Sequence, residues 1–330
     1  MAGPAQLIID QQGAYLQKTG NRFVVKRGNI KNEYSAETIS QIIFASPSAI
    51  SSEAIKLAVE KHIDLLYLDF RGNPYARIYA TTLGGTTLTR KKQLEATLSD
   101  KGVYLVAKIV EAKITSQRQL IKSLAKDRKD NTKLQELASF KPTKIEFRKN
   151  LALDNLRPTL LGIEGATASV YFRALGLITG FSKRDPKLKD EFNVCLNYAY
   201  GILYGEMERA CILAGLDPYL GYYHADRYGK PCLVLDLIEL FRVAVADRAV
   251  ITIFTRKEVK SSYFEKEGSL TLSATGKREI ISAVVKRLNT QITYKGKKLT
   301  LKNIIVSQAR EIASFLLGHT RDYKPYVYKQ

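Results

Sequence analysis

Three histidines and three cysteines among 330 residues leave little room for a zinc framework or a disulfide scaffold. Cys195, Cys211 and Cys232 are odd in number, widely spaced and set among apolar residues, which fits structural thiols in a reducing cytoplasm. No stretch approaches the ~18 consecutive apolar residues of a membrane span. The opening MAGPAQLIIDQQGAY lacks a basic region followed by an apolar core and a small-residue cleavage site, so no secretion signal is expected. Missing too are a Walker A loop, a G-x-S-x-G elbow and a strand-anchored dinucleotide fingerprint; Gly162-x-x-Gly165 is too short to serve as one. There is no internal repeat and no long low-complexity tract. The expectation is a cytoplasmic chain without membrane contact.

Positive charge, by contrast, is abundant. Fifty-two Lys and Arg stand against 32 Asp and Glu, a net charge of +20, well beyond the few units of a small soluble domain. The excess runs along most of the chain instead of gathering on one amphipathic anchor, so nucleic acid is a better partner than a membrane surface. A lysine-rich surface serving solubility alone is the bland alternative. With 45% hydrophobic residues the chain can fill the cores of two domains.

Periodicity divides the chain into unequal parts. Gln6–Ile9, Ala14–Gln17 and Arg22–Lys26 read as short strands separated by turns at Gly13 and Gly20-Asn21. Gln41–Ala45 and Asp64–Leu68 flank a helix for which Ser51 or Ser52 is the N-cap. His62 falls near that helix's C-terminus, where the dipole favours it, and residues 69–74 read as a tight turn. The paired glycines of Leu83-Gly84-Gly85-Thr86 mark a boundary. Beyond it the pattern is helical: Val103–Leu124 with Lys108, Lys113, Arg118 and Lys122 interleaved, Leu151–Leu177 interrupted early by Pro158, Lys189–Ala214, and Leu301–Leu317. Lys183–Lys187 is a basic loop, and Tyr294–Lys298 is the tip of a small hairpin. The fold class is therefore α+β: a small N-terminal β-rich domain, residues 1–85, followed by a larger all-α domain, residues 86–330.

Chemistry concentrates between Leu220 and Arg248. Pro231 suits the first turn of a helix, and a helix over Cys232–Ala246 puts Asp236 and Glu239 at i and i+3 on one otherwise apolar face. Carboxylates sunk among apolar residues need a cation or hydrogen bonds, and His224 is close in sequence. Glu164, between Gly162 and Gly165, adds a carboxylate beside small residues that admit close approach. One imidazole and two carboxylates suit Mn²⁺ or Mg²⁺ better than zinc, and a divalent ion in a basic protein points to phosphodiester chemistry. Arg227 and Lys230 follow His224 and can approach the same phosphate. The plainer alternatives are an i,i+3 ion pair of Glu239 with Arg242 and an ordinary loop histidine at 224; spacing does not separate them from the metal reading. Asn193 and Asn197, at i,i+4, form either the polar wall of a site or contacts to a neighbouring helix. His319, beside Gly318, is a capping or exposed residue. The tail Tyr323–Lys329 either contacts a strand through charge and stacking or is a mobile terminus.

The blocks LLGIEGATASVYF and LNYAYGILYGEMERACILAGLDPYLGYYHADRYGKPCLVLDLIELFR resemble the signature segments of the CRISPR-associated protein one family, the spacer integrases of prokaryotic antiviral defence. AKIVEAKITSQRQLI resembles the family's early helix, with Ser116 where asparagine is expected, and SQAREIASFLLG with Tyr323–Tyr326 resembles its C-terminal part. The resemblance implies a β-domain used for homodimerisation and a helical catalytic domain. It implies a metal, Mg²⁺ or Mn²⁺, held by Glu164, His224 and Glu239, with Asp236 as a supporting acid. It also implies a DNA endonuclease and integrase that joins 3′-hydroxyl ends of a protospacer to a CRISPR repeat by transesterification, with a small ferredoxin-like adaptation protein as partner. Lys183, Arg184, Lys230, Arg256, Lys257 and Arg227 are the candidate DNA contacts. A structure-selective nuclease on branched DNA and a non-catalytic DNA-binding scaffold are the alternatives.

Overall fold

The computed structural model describes residues 5–61, 63–70, 72, 74–78, 86–143, 145, 153–188, 190–224 and 228–329. His62, Arg71, Asn73, the 83–85 boundary and Arg227 lie outside the described residues.

The N-terminal part holds two four-stranded sheets. Strands β1 (Ala5–Ile9), β2 (Tyr15–Thr19), β3 (Arg22–Arg27), β4 (Ile30–Ser35), β5 (Ile39–Phe44), β6 (Ala49–Ile50), β7 (Asp64–Leu68) and β8 (Pro74–Ile78) follow one another, with helix α1 (Ser52–Glu60) between β6 and β7. One sheet runs β4-β3-β2-β6 and the other β1-β5-β7-β8. In the second, β1, β5 and β7 are parallel and β8 is antiparallel to β7. Ser51 caps α1, its hydroxyl accepting from the Ala54 amide at 3.2 Å, the expected role of an N-cap serine. Leu7, Leu16, Phe23, Ile42, Phe44, Leu57 and Leu65 form one core between the sheets and α1. Alternation along each strand decides what the other face does: Ile43, Leu66 and Leu68 point away from that core and join the helical one. β4 and β8 were not legible in the sequence, because β4 is exposed along most of its length and carries no apolar alternation.

The helical part contains α2 (Thr86–Thr97), α3 (Asp100–Lys126), α4 (Thr132–Ser139), α5 (Leu153–Thr179), α6 (Glu191–Leu213), α7 (Cys232–Ile238), α8 (Arg248–Thr255), α9 (Ala274–Leu288) and α10 (Leu301–Leu316), with hairpins β9 (Phe264–Glu267)–β10 (Ser269–Leu272) and β11 (Gln291–Tyr294)–β12 (Lys297–Thr300). Pro158 sits in the second turn of α5. Its φ suits a helix, but the missing N–H removes a ladder bond. The central helix α6 packs against β8, α7, α9 and α10. Gly205 is where α6 meets the sheet: a Cβ there would stand 3.0 Å from Leu66 and 3.2 Å from the Arg77 guanidinium. All three cysteines are buried, and burial pushes the Cys195 thiol up to about 12, so it stays an inert thiol. No helix is long and apolar enough to cross a membrane among the described residues.

Two sequence readings fail here. The single helix expected over Cys232–Ala246 is α7, a tight turn at residues 239–242, and a π-helical turn Val243–Asp247 that runs on into α8. Apolar periodicity cannot register this, because the irregularity comes from polar side chains seeking partners. The widened turn lets Asp247 accept from Tyr171 at 2.6 Å and from Tyr200 at 2.7 Å. The tail is neither a mobile terminus nor a free stacking platform. Tyr323, Tyr326 and Tyr328 are buried. Tyr326 stacks on Phe241 with ring centroids 4.8 Å apart, and the Tyr328 amide donates to the Ser116 hydroxyl at 3.0 Å. The tail thus straps α3 to the turn after α7.

Candidate active site

Helix α3 presents a buried, mostly apolar stripe at helical spacing, Val106, Val110, Gln117, Leu120 and Leu124, and Lys113 falls within it. A lysine that is 8% exposed needs compensation. Two carboxylates supply it. The Lys113 ammonium stands 2.5 Å from Glu164 Oε1 on α5 and 2.7 Å from Glu239 Oε2 in the turn after α7. Arg242 lies 3.0 Å from the other Glu239 oxygen, so the i,i+3 ion pair is present together with the convergence. Glu239 is 4% exposed. Burial opposes its charge, but Arg242 and Lys113 together hold its carboxyl down at about 2. Burial likewise opposes the Lys113 charge, and Glu239 and Glu164 outweigh it, keeping the ammonium above its ordinary range.

Asp236 does something different from Glu239. It is wholly buried and accepts the backbone amides of Tyr222, Tyr223 and His224 at 2.7, 3.0 and 3.0 Å. Its Oδ1 also stands 2.7 Å from His224 Nδ1. A carboxylate on Nδ1 fixes the imidazole and leaves Nε2 as the outward nitrogen. The two acids therefore do not serve one face: Asp236 organises the histidine loop and Glu239 the cation position. Gly221 allows the loop to close, since a Cβ there would lie 2.6 Å from the Cys232 backbone. Gln93 of α2 and Arg157 of α5 clamp the same loop through the carbonyls of Asp217, Leu220 and Tyr222. Tyr223 joins the halves by donating to Glu164 Oε2; burial first, then the Glu164 charge, pushes its phenol far up, so it remains a donor. Beside Glu164 the α5 face is open, because Gly162 and Gly165 have nothing near the position of a Cβ.

Does this set suit a divalent ion? Among the described residues, no three acid, histidine or cysteine side chains stand ready around a common ligating point. The centre is instead held by an ammonium, a cation of the protein's own. Glu239 Oε2 is buried, with the Lys113 ammonium 2.7 Å away. Two carboxylates sharing one cation, with an oriented imidazole alongside, are hard and borderline donors that fit Mg²⁺ or Mn²⁺.

Next to this centre is a cleft of about 450 Å³ lined by Phe70, Arg184, Asn197, Tyr200, Tyr204 and Arg242. Arg242 belongs to both, its guanidinium 4.2 Å from the Tyr200 ring centroid. Arg184 donates to Asn193 and Asn197 at 2.7 Å each. Asn193 and Asn197 donate in return to the Lys183 and Pro186 carbonyls, so they brace the basic loop, and Asn197 also lines the cleft. Lys183 is exposed at the loop surface. Lys230 is exposed too and lines a smaller cleft with Tyr204 and Glu208. Arg256 and Lys257 project from the end of α8, with Arg256 3.8 Å from Glu258; no contact connects them to the carboxylates. His319 is exposed, its amide closing the end of α10 on Ser314. Sequence reasoning missed Lys113, Tyr223 and Tyr171. Only Lys113 carried a signal, a charged residue on a buried stripe.

Residues 7–286 match the family CRISPR associated protein Cas1. The chain belongs to that family. It is 33% identical to the CRISPR-associated endonuclease Cas1 1 of Archaeoglobus fulgidus, covering 98% of this chain and 99% of the relative. The casposase solved bound to its integration product has the same fold, with a TM-score of 0.81 at 23% identity, over 98% of this chain and 94% of that one. The Cas6-RT-Cas1–Cas2 complex contains a similar region, with a TM-score of 0.73 at 21% identity, over all of this chain and 36% of that one.

Proposed function

We propose that this chain is a divalent-metal-dependent DNA endonuclease and integrase that inserts spacers into a CRISPR array. The observation that carries the proposal is the convergence of Glu164 and Glu239 on one cation position beside a histidine oriented by Asp236. The relative's name as a CRISPR-associated endonuclease supports phosphodiester chemistry. The casposase, bound to an integration product, supports strand transfer on this fold.

Glu164, Glu239 and His224 would hold Mg²⁺ or Mn²⁺. When bound, such an ion polarises a non-bridging phosphate oxygen and favours attack by water or a 3′-hydroxyl. Asp236 keeps the His224 ring in one orientation through Nδ1. Tyr223 holds the Glu164 carboxylate in place by its hydroxyl. Lys113, relieved of its carboxylates, is a nearby ammonium for the charge that develops on the phosphate. Arg242 and Arg184 line the adjacent cleft, where guanidinium and tyrosine faces suit a strand's phosphates and bases. In strand transfer the incoming 3′-oxygen bonds to phosphorus, and the departing oxygen becomes the 3′-hydroxyl of the cut strand.

Lys183, Lys230, Arg256 and Lys257 would add backbone contacts over a wider surface. The exposed Tyr15, Ile30 and Tyr34 of the β4-β3-β2-β6 sheet support its use as a homodimer surface. A Cas2-type partner is expected from the solved Cas1–Cas2 assembly.

The test is incubation of the protein, with and without that partner, with short duplex DNA and a repeat-bearing plasmid in Mn²⁺ or EDTA. Joined products in Mn²⁺ and none in EDTA are expected. Cleavage without joining would favour a structure-selective nuclease. Salt-sensitive binding with no product in any metal would leave a DNA-binding scaffold.

A further inference from the structure

A second cavity, of about 750 Å³, opens between α6, one side of α10 from Lys302 to Ser314, and the β11–β12 hairpin. It shares no lining residue with the carboxylate centre or its cleft. Its charged lining is mainly basic: Arg209, Lys302 and Arg310, with Asn303, Ser307 and Ser314 as neutral donors. Lys302 is the unusual member. It is 8% exposed, and its ammonium has no hydrogen-bond partner among the described residues. Glu206 Oε1 stands 3.7 Å away, and that carboxylate also feels Arg209 and Arg77. Burial, against the pull of Glu206, holds the Lys302 ammonium below its ordinary range. A desolvated cation with no directed partner is an expensive feature unless something outside the chain completes it.

The surroundings suit an anion. Arg209 and Arg310 make no ion pair among the described residues. Lys302 and Asn303 lie in the first turn of the 16-residue α10, whose Asn303 amide is capped by the Thr300 hydroxyl at 3.2 Å and whose dipole favours negative charge. Glu311 also lines the cavity, but it is already engaged, with Lys295 at 2.7 Å and with Ser307 and Gln308 as donors. The volume falls within the about 300–1,000 Å³ range of small-molecule sites.

We infer that this cavity binds a phosphate monoester on a nucleoside-sized group, with Lys302 at its base and Arg209 and Arg310 at its mouth. The charge is met by three cations and the positive end of the α10 dipole, and the neutral donors are placed for a sugar or base. Either a free nucleotide or the 5′-phosphate of a strand end carries that chemistry.

Calorimetric titration of the full-length protein in EDTA, with dTMP, thymidine and tetranucleotides bearing a 5′-phosphate or a 5′-hydroxyl, tests the assignment and keeps it apart from the metal centre. dTMP should bind saturably and thymidine should not. Lys302→Met should weaken dTMP about tenfold or more, and the exposed Arg310→Ala by a smaller factor, as expected for charge-assisted bonds. Glu239→Ala should leave dTMP binding unchanged. A 5′-phosphate tetranucleotide that binds more tightly than dTMP assigns the site to strand ends; equal or weaker binding assigns it to a free nucleotide. The inference is overturned if dTMP and thymidine behave alike, or if Lys302→Met and Arg310→Ala bind dTMP as the parent does. Because Arg310 is exposed, its variant decides the matter even if Lys302→Met folds poorly.

Discussion

Two buried charge clusters, one within the helical part and one where it meets the sheet, differ in what they border. Around the cation position, Glu164 and Glu239 are answered by Lys113 and Arg242, while Asp236 holds the His224 side chain, 31% exposed, at the rim. At the seam between sheet and helices, Arg77 pairs with Asp64 and Glu208 and donates to the Gly205 carbonyl, while Glu206 faces Lys302. Asp64 and Arg77 are almost fully closed off, each 5% exposed. The first cluster borders open surface beside α5; the seam is closed except where Lys302 reaches its cavity. Buried ion pairs contribute little net stability once desolvation is counted, yet removing one partner is costly. Hence the seam is a fastening, whereas the first cluster, open beside α5, is where the proposed divalent ion would take the place of the lysine.

The comparison breaks most visibly at Glu239. Glu239→Gln keeps the shape and removes the charge, and strand joining and cleavage in Mn²⁺ should fall at least about a hundredfold, with the circular dichroism spectrum of the folded protein retained. At the seam the loss should be one of stability. Arg77→Met leaves the buried Asp64 without its ion-pair partner and with the Gln41 amide as donor, a change of about 3–5 kcal/mol, read as a lower midpoint in urea, with activity per folded molecule largely kept well below the transition. Should Arg77→Met abolish joining in fully folded protein, the division between fastening and chemistry would be wrong.

Asp236→Asn tests how the histidine is held. It keeps an acceptor for the loop amides but loses the charge on Nδ1, so activity should drop about 10–100-fold, with a small effect on melting. The smallest expected effect is in alkali, where the two buried lysines have opposite signs. Lys113 is raised above 10.5 in the fold, so its stabilisation is full below 10.5 and lost as pH climbs through the raised value. Lys302 is lowered below 10.5, so stability rises with pH in a window ending near 10.5. Denaturation midpoints across pH 9–12 (a span chosen around the lysine range) should therefore lose a fall in Lys113→Met and lose a gain in Lys302→Met.

Most of the fold was readable in the chain. Alternation marked β1, β2, β3, β5 and β7, and Ser51 and Gly318 punctuated the helices where they occur, whereas α5 runs on through Pro158. β4 escaped because it is an exposed strand with charged residues. The break after α7 escaped because Glu239 and Asp247 are placed by distant partners, Lys113 on α3 and the tyrosines of α5 and α6. Burial of the tail depends on Phe241 and Ser116, which no local pattern connects to Tyr326 and Tyr328. For the site, residue chemistry gave the candidates Glu164, His224, Asp236 and Glu239, while the resemblance tied three of them to one ion. Which acid faces the cation position and which holds the imidazole emerged only in three dimensions.

The central claim is that the Lys113-centred carboxylate pair is a divalent-cation site. Manganese EPR on DNA-free protein addresses it directly, because free and bound Mn²⁺ are distinguished without any turnover. One saturable site per chain is predicted, absent or greatly weakened in Glu239→Gln and in Glu164→Gln, and filled more tightly in Lys113→Met, where no ammonium competes. Unchanged manganese binding in both glutamine variants would contradict the account.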